Sequence, residues 1–429
     1  MTGTTEQPSR RASSEQSPGP SGAPFPAHEL KRDFPALLLQ VNGKPLVYLD
    51  NAATTQKPRC VVDAIAEVYT TGCANVQRGA YRLGAKATSA YEAARVSVQR
   101  LIVAEHPHEV VFSSGCTAAI NMVARAWGDD HVGPGDEVIV SGLEHHSNLL
   151  PWQELCRRRS ARLLHIPVDD QGALDLEAYE RLLGARTRLV ALAHVSNVLG
   201  TLNPVEQMVQ SAHRVGARVL VDGAQAVSRS PVDVRALDCD FYAFSGHKMY
   251  GPFGIGVLYA KADIWAELAP LFSGGGMVDE VELERASWAS PPRRFEAGTP
   301  NLAGAVGLGR AVKYLQTVGI DAVASHERAL STYARSVLEA IPGVVVLGGA
   351  EGNAGIVSFT LEGVHAHDVS TVLDDAGVMV RAGHLCAEPL LRRFGLPAVV
   401  RASFALYNTR EDVDALGLGL RSARGIFGL

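Results

Sequence analysis

The sequence lacks the features that mark several specialised classes of protein. Its six cysteines form no CxxC pair, so neither a disulfide framework nor a zinc site is indicated. No apolar run approaches the roughly 18 residues that a membrane helix needs, and the N-terminus lacks the basic-then-apolar pattern of a signal peptide. The net charge of −5 shows no basic excess, which argues against a nucleic-acid partner. The composition predicts a soluble, cytoplasmic protein with neither nucleic acid nor membrane as a partner.

The 429 residues suffice for two domains with separate cores. Residues 1–28 are rich in Ser, Pro, Gly and Thr and predict a disordered tail. The pattern that follows predicts a segment at 29–45 that packs with the smaller domain. A large domain is expected at 46–310 and a small C-terminal domain at 311–429.

Short β-rich runs alternate with helical segments in the large domain, which predicts a mostly parallel seven-stranded sheet of the α/β class. The mixed pattern after residue 301 predicts a smaller α+β domain. Ligands of such sheets bind beyond the carboxyl ends of the strands, so the polar residues there are the candidate site. The seven runs are Glu109–Phe112, Glu137–Val140, Arg162–Val168, Leu189–Val195, Arg218–Val221, Asp240–Phe244 and Gly256–Tyr259.

Lys248 is the centre of the candidate site. It follows a predicted strand, among glycines, and could hold an aldehyde cofactor as a Schiff base, although most lysines in such loops are simply solvated. Asp222 also ends a strand; such an aspartate more often caps a helix, but it could supply the anion that pyridoxal phosphate needs at its pyridine nitrogen. Gln225 could donate to the phenolic oxygen of the ring. Together these residues favour a cofactor site.

Two further groups of residues suit the same cofactor. Ser114–Thr117 opens a predicted helix, whose backbone N–H groups could bind a phosphate with help from Ser245 and His247. His145 could stack on the pyridine ring, but spacing alone leaves a surface or core histidine equally open. His146 beside it points to another side, so a shared metal is not indicated.

Several motifs in order along the chain resemble the pyridoxal-phosphate-dependent cysteine desulfurases, of the class V aminotransferase family. The Suf-type, group II branch is the most similar, and the resemblance extends from about Leu30 to the C-terminus. It implies the fold type I of the pyridoxal-phosphate-dependent transferases, with the large domain binding the cofactor. The motifs are Asp50–Ala53, Glu144–His146, His194–Gly200, Asp222–Gln225, Ser245–Lys248, Arg294–Asn301 and Arg381–Cys386.

The resemblance implies a role for each site residue. Lys248 would hold pyridoxal 5'-phosphate and transfer protons, and Cys386, in the small domain, would form a persulfide as L-cysteine becomes L-alanine. The remaining cofactor contacts would come from His145, Asp222, Gln225, Thr117, Ser245, His247 and, reaching the neighbouring subunit of a homodimer, Thr299. The substrate carboxylate would be held by Asn197, Arg401 and the nearby Arg381.

The implied pathway is sulfur transfer for iron–sulfur cluster assembly or other sulfur biosynthesis. The short loop between Ala382 and Pro389 lacks the insertion of the other desulfurase branch, which suggests a dedicated protein acceptor, SufE- or SufU-like. Two alternatives stay open: a selenocysteine lyase or pathway-specific C–S lyase, and a non-catalytic scaffold of the Suf system. The chain departs from the family pattern at Gln77, Cys116, Ala118 and Leu385.

Overall fold

The computed structural model describes residues 25–77, 80–349 and 352–429. Of the tail predicted for residues 1–28, residues 1–24 lie outside the described residues. Two of its last four residues are packed: Phe25 stacks on His326 with ring centroids 4.3 Å apart, and the buried Ala27 begins a helix. The reason is that Phe25 and Ala27 bring apolar surface that the neighbouring domain buries.

The helices and strands are numbered in chain order. No helix among the described residues is both long and apolar enough to cross a membrane. Helices α1 to α14 are Ala27–Lys31, Arg59–Thr71, Arg82–Leu101, Cys116–Met122, Gly128–His131, Leu150–Arg159, Leu176–Leu182, Val205–Arg214, Ala262–Glu267, Leu302–Val318, Ile320–Glu339, Ala366–Asp375, Glu388–Arg393 and Arg410–Ile426. Strands β1 to β17 are Gln40–Val41, Lys44–Pro45, Val47–Tyr48, Val110–Ser113, Glu137–Ser141, Arg162–Ile166, Thr187–Ala193, Arg218–Asp222, Phe241–Ser245, Gly256–Ala260, Val278–Val281, Ala286–Trp288, Val344–Val346, Ile356–Leu361, Val378–Met379, Arg381–Gly383 and Val399–Ser403.

The large sheet has seven strands in the order β4-β10-β9-β8-β7-β5-β6. Strand β10 runs antiparallel to both neighbours and the other pairs are parallel. Both faces are covered: Ile139 packs in one core, whereas Val138 and Val140 pack in the other. Successive side chains of a strand point to opposite faces, so burial of both faces requires nearly continuous apolar runs. The predicted fold class, a mostly parallel seven-stranded α/β sheet, is confirmed.

The small domain is built on the antiparallel sheet β13-β14-β17-β16. Helices α11, α12 and α14 pack on it and share its apolar core. The mixed α+β pattern predicted after residue 301 is present as four helices and a four-stranded sheet among the described residues that follow residue 319. Strand β17 and helix α13 were not predicted.

The contacts favour moving two of the predicted domain boundaries. Strand β3 pairs in parallel with Val378–Met379, and the fully buried Leu49 packs in the small-domain core, although both fall after the predicted boundary at residue 45. Helix α10 continues past residue 310, with Val312 and Leu315 in the large core. We therefore propose that the small domain takes in residues up to about 50 and begins again near residue 319.

Candidate active site

A cavity of about 420 Å³ lies at the carboxyl ends of the parallel strands, where residues of the small domain meet the large sheet. Strands β5, β7, β8 and β9 are neighbours in this sheet, so the residues that follow them converge. The cavity contains every predicted site residue except Thr299. Its lining includes Lys248, Cys386, His145, Asp222, Gln225, Thr117, Ser245, His247, Asn197, Arg401 and Arg381.

Lys248 ends the short 3₁₀ turn Gly246–Lys248, which follows strand β9 directly. The backbone on either side of it is held in place. The Ser228 hydroxyl donates to the carbonyl of Lys248 at 3.2 Å, and Lys57 Nζ donates to the carbonyl of His247 at 2.9 Å. Removal from water lowers the pKa of Lys248, because burial disfavours its charged form. The side chain is therefore closer to a free, nucleophilic amine than an exposed lysine would be.

Asp222 is the last residue of strand β8 and is 6% exposed. Its Oδ1 accepts from the backbone N–H of Ala224 at 2.9 Å and lies 3.3 Å from the Cys116 sulfur. Burial raises the pKa of Asp222, and the charge of Lys248 acts in the opposite direction. Gln225 follows, with its Nε2 donating to the carbonyl of Ala52 at 2.7 Å. Both side chains are fixed by the protein while they line the cavity.

The amino end of helix α4 faces the cavity beside Thr117, Ser245 and His247. The backbone N–H of Cys116 donates to Ser245 Oγ at 2.8 Å, and the hydroxyls of Thr117 and Ser147 lie 2.7 Å apart. Burial lowers the pKa of His247 to about 4, so its ring is neutral near pH 7. A helix amino end surrounded by hydroxyls is a typical binding site for a phosphate group.

His145 lies in the cavity with a neutral ring. Burial, reinforced by the charge of Lys248, lowers its pKa to about 3. Its Nδ1 accepts the backbone N–H of Ser147 at 3.0 Å, so the ring proton belongs on Nε2. The buried Glu144 next to it accepts from Asn148 at 2.6 Å and from the backbone of Ala193 at 2.8 Å. This network fixes the segment that presents the His145 ring.

Arg401 lies on the central strand β17 and is 3% exposed. Its Nη2 donates to Asp50 Oδ1 at 3.0 Å and its Nη1 to the carbonyl of Asn197 at 2.8 Å. Arg381 is more exposed and lies 3.7 Å from Asp50 Oδ2. Asp50 thus orients one buried and one exposed guanidinium at the same end of the cavity.

Cys386 is partly buried and lies in a loop that contacts the large domain. Asn197 Nδ2 donates to the carbonyl of Leu385 at 2.8 Å, and the backbone N–H of His146 donates to the carbonyl of Cys386 at 2.7 Å. Leu385 and Cys386 both have φ of 54°, a left-handed conformation that is strained for residues other than glycine. The contacts with Asn197 and His146 hold this strained loop so that the thiol faces the cavity.

Thr299 lies away from the cavity within its own chain. It lines a second hollow together with Gln77, Gly276 and Arg293. Of the positions that depart from the family pattern, Leu385 lines the main cavity, whereas Gln77 does not. Arg78 and Gly79, which complete the departing motif at Gln77, lie outside the described residues.

Sequence reasoning missed several side chains of the site. Asp50 belongs to the family motif Asp50–Ala53, but nothing in the sequence pattern indicated that its carboxylate would pair with Arg401. Cys116 was noted as a departure without a role, and its contact with Asp222 joins two residues that are 106 positions apart. Phe253, Ser147 and Leu385 also line the cavity. Only the three-dimensional convergence of loops reveals these contacts.

The residues present fit pyridoxal phosphate. Three buried polar atoms at the cavity have no hydrogen-bond partner among the described residues: His247 Nδ1, Asn197 Oδ1 and Arg401 Nε. Leaving such atoms unpaired is costly, which favours a polar ligand at this position. The chemistry of the lining agrees, since it combines an amine, a carboxylate at the next strand end and a helix amino end. Fold and cavity together define a pyridoxal-phosphate-dependent transferase of fold type I.

Comparisons with known proteins agree with this class. The model of the family "Aminotransferase class-V" matches residues 47–416. A cysteine desulfurase of Synechococcus elongatus is 47% identical over 92% of this chain and 63% of its own length. A probable cysteine desulfurase of Halalkalibacterium halodurans is 47% identical over 94% of this chain and 99% of its own.

The crystal structure of the cysteine desulfurase CsdA from Escherichia coli is also similar. It superposes with a TM-score of 0.88 and 39% identity, covering 94% of this chain and 100% of that one. The chain belongs to the class V aminotransferase family and, within it, to the pyridoxal-phosphate-dependent cysteine desulfurases.

Proposed function

We propose that the protein converts L-cysteine to L-alanine and takes the sulfur onto Cys386 as a persulfide. The carbon–sulfur bond of the substrate breaks, an S–S bond forms on Cys386 Sγ, and the carbon that loses sulfur gains a proton. Atoms and electrons balance without an external oxidant or reductant. The single observation that carries the proposal is that the Lys248 amine and the Cys386 thiol line one cavity.

Pyridoxal phosphate, when bound, supplies an aldehyde that links to amines and a ring that withdraws electrons from the substrate. Its covalent partner would be Lys248 Nζ. Asp222 would face its pyridine nitrogen and Gln225 its phenolic oxygen, and the neutral His145 would pack on the ring. Thr117, Ser245, His247 and, from the neighbouring subunit, Thr299 would hold its phosphate.

The protein's own groups position the substrate and move protons. Arg401, whose Nε has no partner within the described part of the chain, binds the substrate carboxylate together with Asn197, and the nearby Arg381 adds positive charge. Lys248 Nζ, whose pKa burial lowers, carries a proton between the substrate carbons. Cys386 Sγ attacks the substrate sulfur as a thiolate. The neutral His145 ring carries its proton on Nε2 and can donate a hydrogen bond from that atom in the same cavity.

We infer that the enzyme acts as a homodimer and hands its sulfur to a separate protein, SufE- or SufU-like, for iron–sulfur cluster assembly or other sulfur biosynthesis. The position of Thr299 outside its own chain's cavity supports the dimer. The contacts with Asn197 and His146 support the separate acceptor, because a Cys386 loop held against the large domain cannot swing far. Either pathway suits a Suf-type enzyme, for which we propose a cytoplasmic location.

The substitution Cys386→Ser tests the proposal. We expect the variant to keep the visible absorbance of the bound cofactor, because Cys386 does not hold it, and to lose sulfide release from L-cysteine under reductant. Mass spectrometry of the wild type after addition of L-cysteine should find one extra sulfur on Cys386. Cys73→Ser, which changes an exposed cysteine, is the matched control and should behave as the wild type.

Undiminished sulfide release from Cys386→Ser would refute the persulfide mechanism. It would instead indicate a lyase that releases the chalcogen directly. Activity on L-cysteine and on L-selenocysteine, measured for the wild type and for Cys386→Ser, identifies that case. A selenocysteine lyase should keep its activity on L-selenocysteine when the Cys386 thiol is removed.

A further inference from the structure

The thiol of Cys116 contacts the carboxylate of Asp222 at the base of the cavity. Cys116 is the first residue of helix α4 and is 5% exposed. Its sulfur lies 3.3 Å from Asp222 Oδ1, within reach of an S–H hydrogen bond. Nothing in the roles assigned above uses this thiol, although it belongs to the lining of the cavity.

The two donors that reach Asp222 converge on one of its oxygens. The backbone N–H of Ala224 donates to Oδ1 at 2.9 Å, and the Cys116 thiol points at the same atom. Within the described part of the chain no donor reaches Oδ2, which is left for a group in the cavity. The protein therefore fixes the rotation of the carboxylate and keeps one oxygen available.

Cys116 is a donor here because its proton is firmly held. Burial raises the pKa of the thiol, and the negative charge of Asp222 raises it further. A neutral thiol beside a carboxylate can only donate, and a hydrogen bond to the charged form of a carboxyl group favours that form. The contact thus opposes the effect of burial, which raises the pKa of Asp222.

The other titratable groups around Asp222 are Lys248, Tyr242 and Glu144. The tyrosine hydroxyl lies 3.0 Å from His194 Nδ1, and the Glu144 carboxyl is held by Asn148 and by the backbone of Ala193. Lys248 is the group that becomes covalently attached in the proposed function. Cys116 is the neutral side chain that contacts Asp222 directly.

We propose that Cys116 is a positioning residue that acts through Asp222, holding the carboxylate ionised and turned so that Oδ2 meets the pyridine nitrogen of the cofactor. The inference rests on the proposed function, because Asp222 has this task only when pyridoxal phosphate is bound. It adds a residue that tunes how strongly the cofactor ring withdraws electrons.

The test compares holoenzymes by the visible absorbance of the bound cofactor during a pH titration. Cys116→Ala and Cys116→Val remove the donor, the second while filling the space of the thiol. We expect the titration to shift in the same direction as in Asp222→Asn, but less. Pyridoxal phosphate should bind about tenfold more weakly, the size of one hydrogen bond to a charged group, and kcat should fall while KM for L-cysteine holds.

Two controls separate this role from packing. Cys116→Ser restores a donor and should return the titration towards that of the wild type. Cys156→Ala removes another thiol that is 5% exposed, in the core beside the sheet and outside the cavity, and should leave the absorbance unchanged.

The inference is overturned if Cys116→Ala and Cys116→Val titrate as the wild type does, or if Cys156→Ala shifts the absorbance equally. The proposed function would survive that result. A wild-type protein that shows no cofactor absorbance would instead refute the proposed function itself, and the role of Cys116 with it.

Discussion

Single buried polar groups decide what this cavity can bind. His247, Asn197 and Arg401 line it, and their atoms Nδ1, Oδ1 and Nε are buried without a hydrogen-bond partner among the described residues. The sequence predicted these three residues through family resemblance, but not which of their atoms the described part of the chain leaves without a partner. Hydrogen bonds from Arg401 to Asp50 and Asn197 use the other nitrogens of the guanidinium, and those partners come from distant parts of the chain. A sequence motif specifies residue types. Which atom of such a residue lacks a hydrogen-bond partner depends on the contacts that the folded chain makes.

Arg401→Lys should raise KM for L-cysteine by about tenfold or more while kcat changes less, because lysine keeps the charge but loses the planar fork that binds Asp50 and the substrate together. Steady-state measurement of alanine formation provides both constants. Arg381→Lys is the matched control: its guanidinium is 53% exposed and lies 3.7 Å from Asp50, so we expect a smaller rise. Equal effects of the two substitutions would contradict the assignment of the buried arginine to the substrate carboxylate.

The elements that present the site were largely predictable from pattern. Each of the seven β-rich runs became a strand of the large sheet, because strands buried on both faces need continuous apolar sequence and stand out from the helices between them. Strand β17 was missed although it carries Arg401. A short apolar run interrupted by an arginine resembles a loop in sequence. The burial of the Arg401 charge is explained only by the neighbouring strands β14 and β16 and by the ion pair with Asp50.

The contact between helix α11 and the large domain depends on a buried ion pair. Arg229 Nη1 lies 2.5 Å from Glu327 Oε2 and also donates to the carbonyl of Phe404 at 2.8 Å. Arg229→Met should lower the free energy of unfolding by about 3–5 kcal/mol near pH 8, because an unpaired carboxylate stays buried. The double variant Arg229→Met/Glu327→Gln should be destabilised less, since it leaves no uncompensated charge. Urea denaturation of the wild type and the variants measures these differences.

The cost of Arg229→Met should also depend on pH. Burial raises the pKa of Glu327 to about 7, against the pull of Arg229, and loss of the arginine raises it further. A carboxyl whose folded pKa exceeds its unfolded pKa is most favourable at low pH, and stability is lost as pH rises through the gap. The cost of the substitution should therefore be smaller near pH 5 than near pH 8, by up to about 1.4 kcal/mol, because one pKa unit separates the wild-type pKa from pH 8. A cost that is the same at both pH values would show that Glu327 is not the group responsible.

The whole molecule combines two sheets with their helices, and residues from both parts line the cavity. Composition and length predicted two domains, but the chain crosses between them more often than pattern alone indicates. Strand β3 joins the small domain before the large sheet begins, and helix α10 stays with the large core beyond the expected boundary. Such exchanges follow from long-range pairing, here between Val47–Tyr48 and Val378–Met379, which local sequence does not encode. The same limit applies to Thr299, whose predicted partner is a second copy of the chain.

A mixing experiment tests the role of Thr299 at the level of the assembly. If Thr299 completes the cofactor site of the neighbouring subunit, each site takes Lys248 from one subunit and Thr299 from the other. Thr299→Ala and Lys248→Ala then change residues that different subunits contribute to one site. A dimer with one variant of each kind then contains one site with both residues intact. After dissociation and random reassociation of equal amounts, about a quarter of the wild-type number of sites should be restored.

Activity of the mixture above the mean of the two separate variants, together with recovery of cofactor absorbance, would support a site shared between subunits. A mixture of Asp222→Asn with Lys248→Ala is the matched control, because both residues belong to the same chain's cavity. Each site of such a mixed dimer lacks one of the two residues, so this mixture should stay inactive. If the Thr299 mixture also stays at the mean, Thr299 acts within its own chain or not at all. Native mass spectrometry, which separates the mixed dimer from the two parental dimers by mass, confirms that subunits have exchanged, so a failure to recover activity counts against the shared site rather than against the exchange.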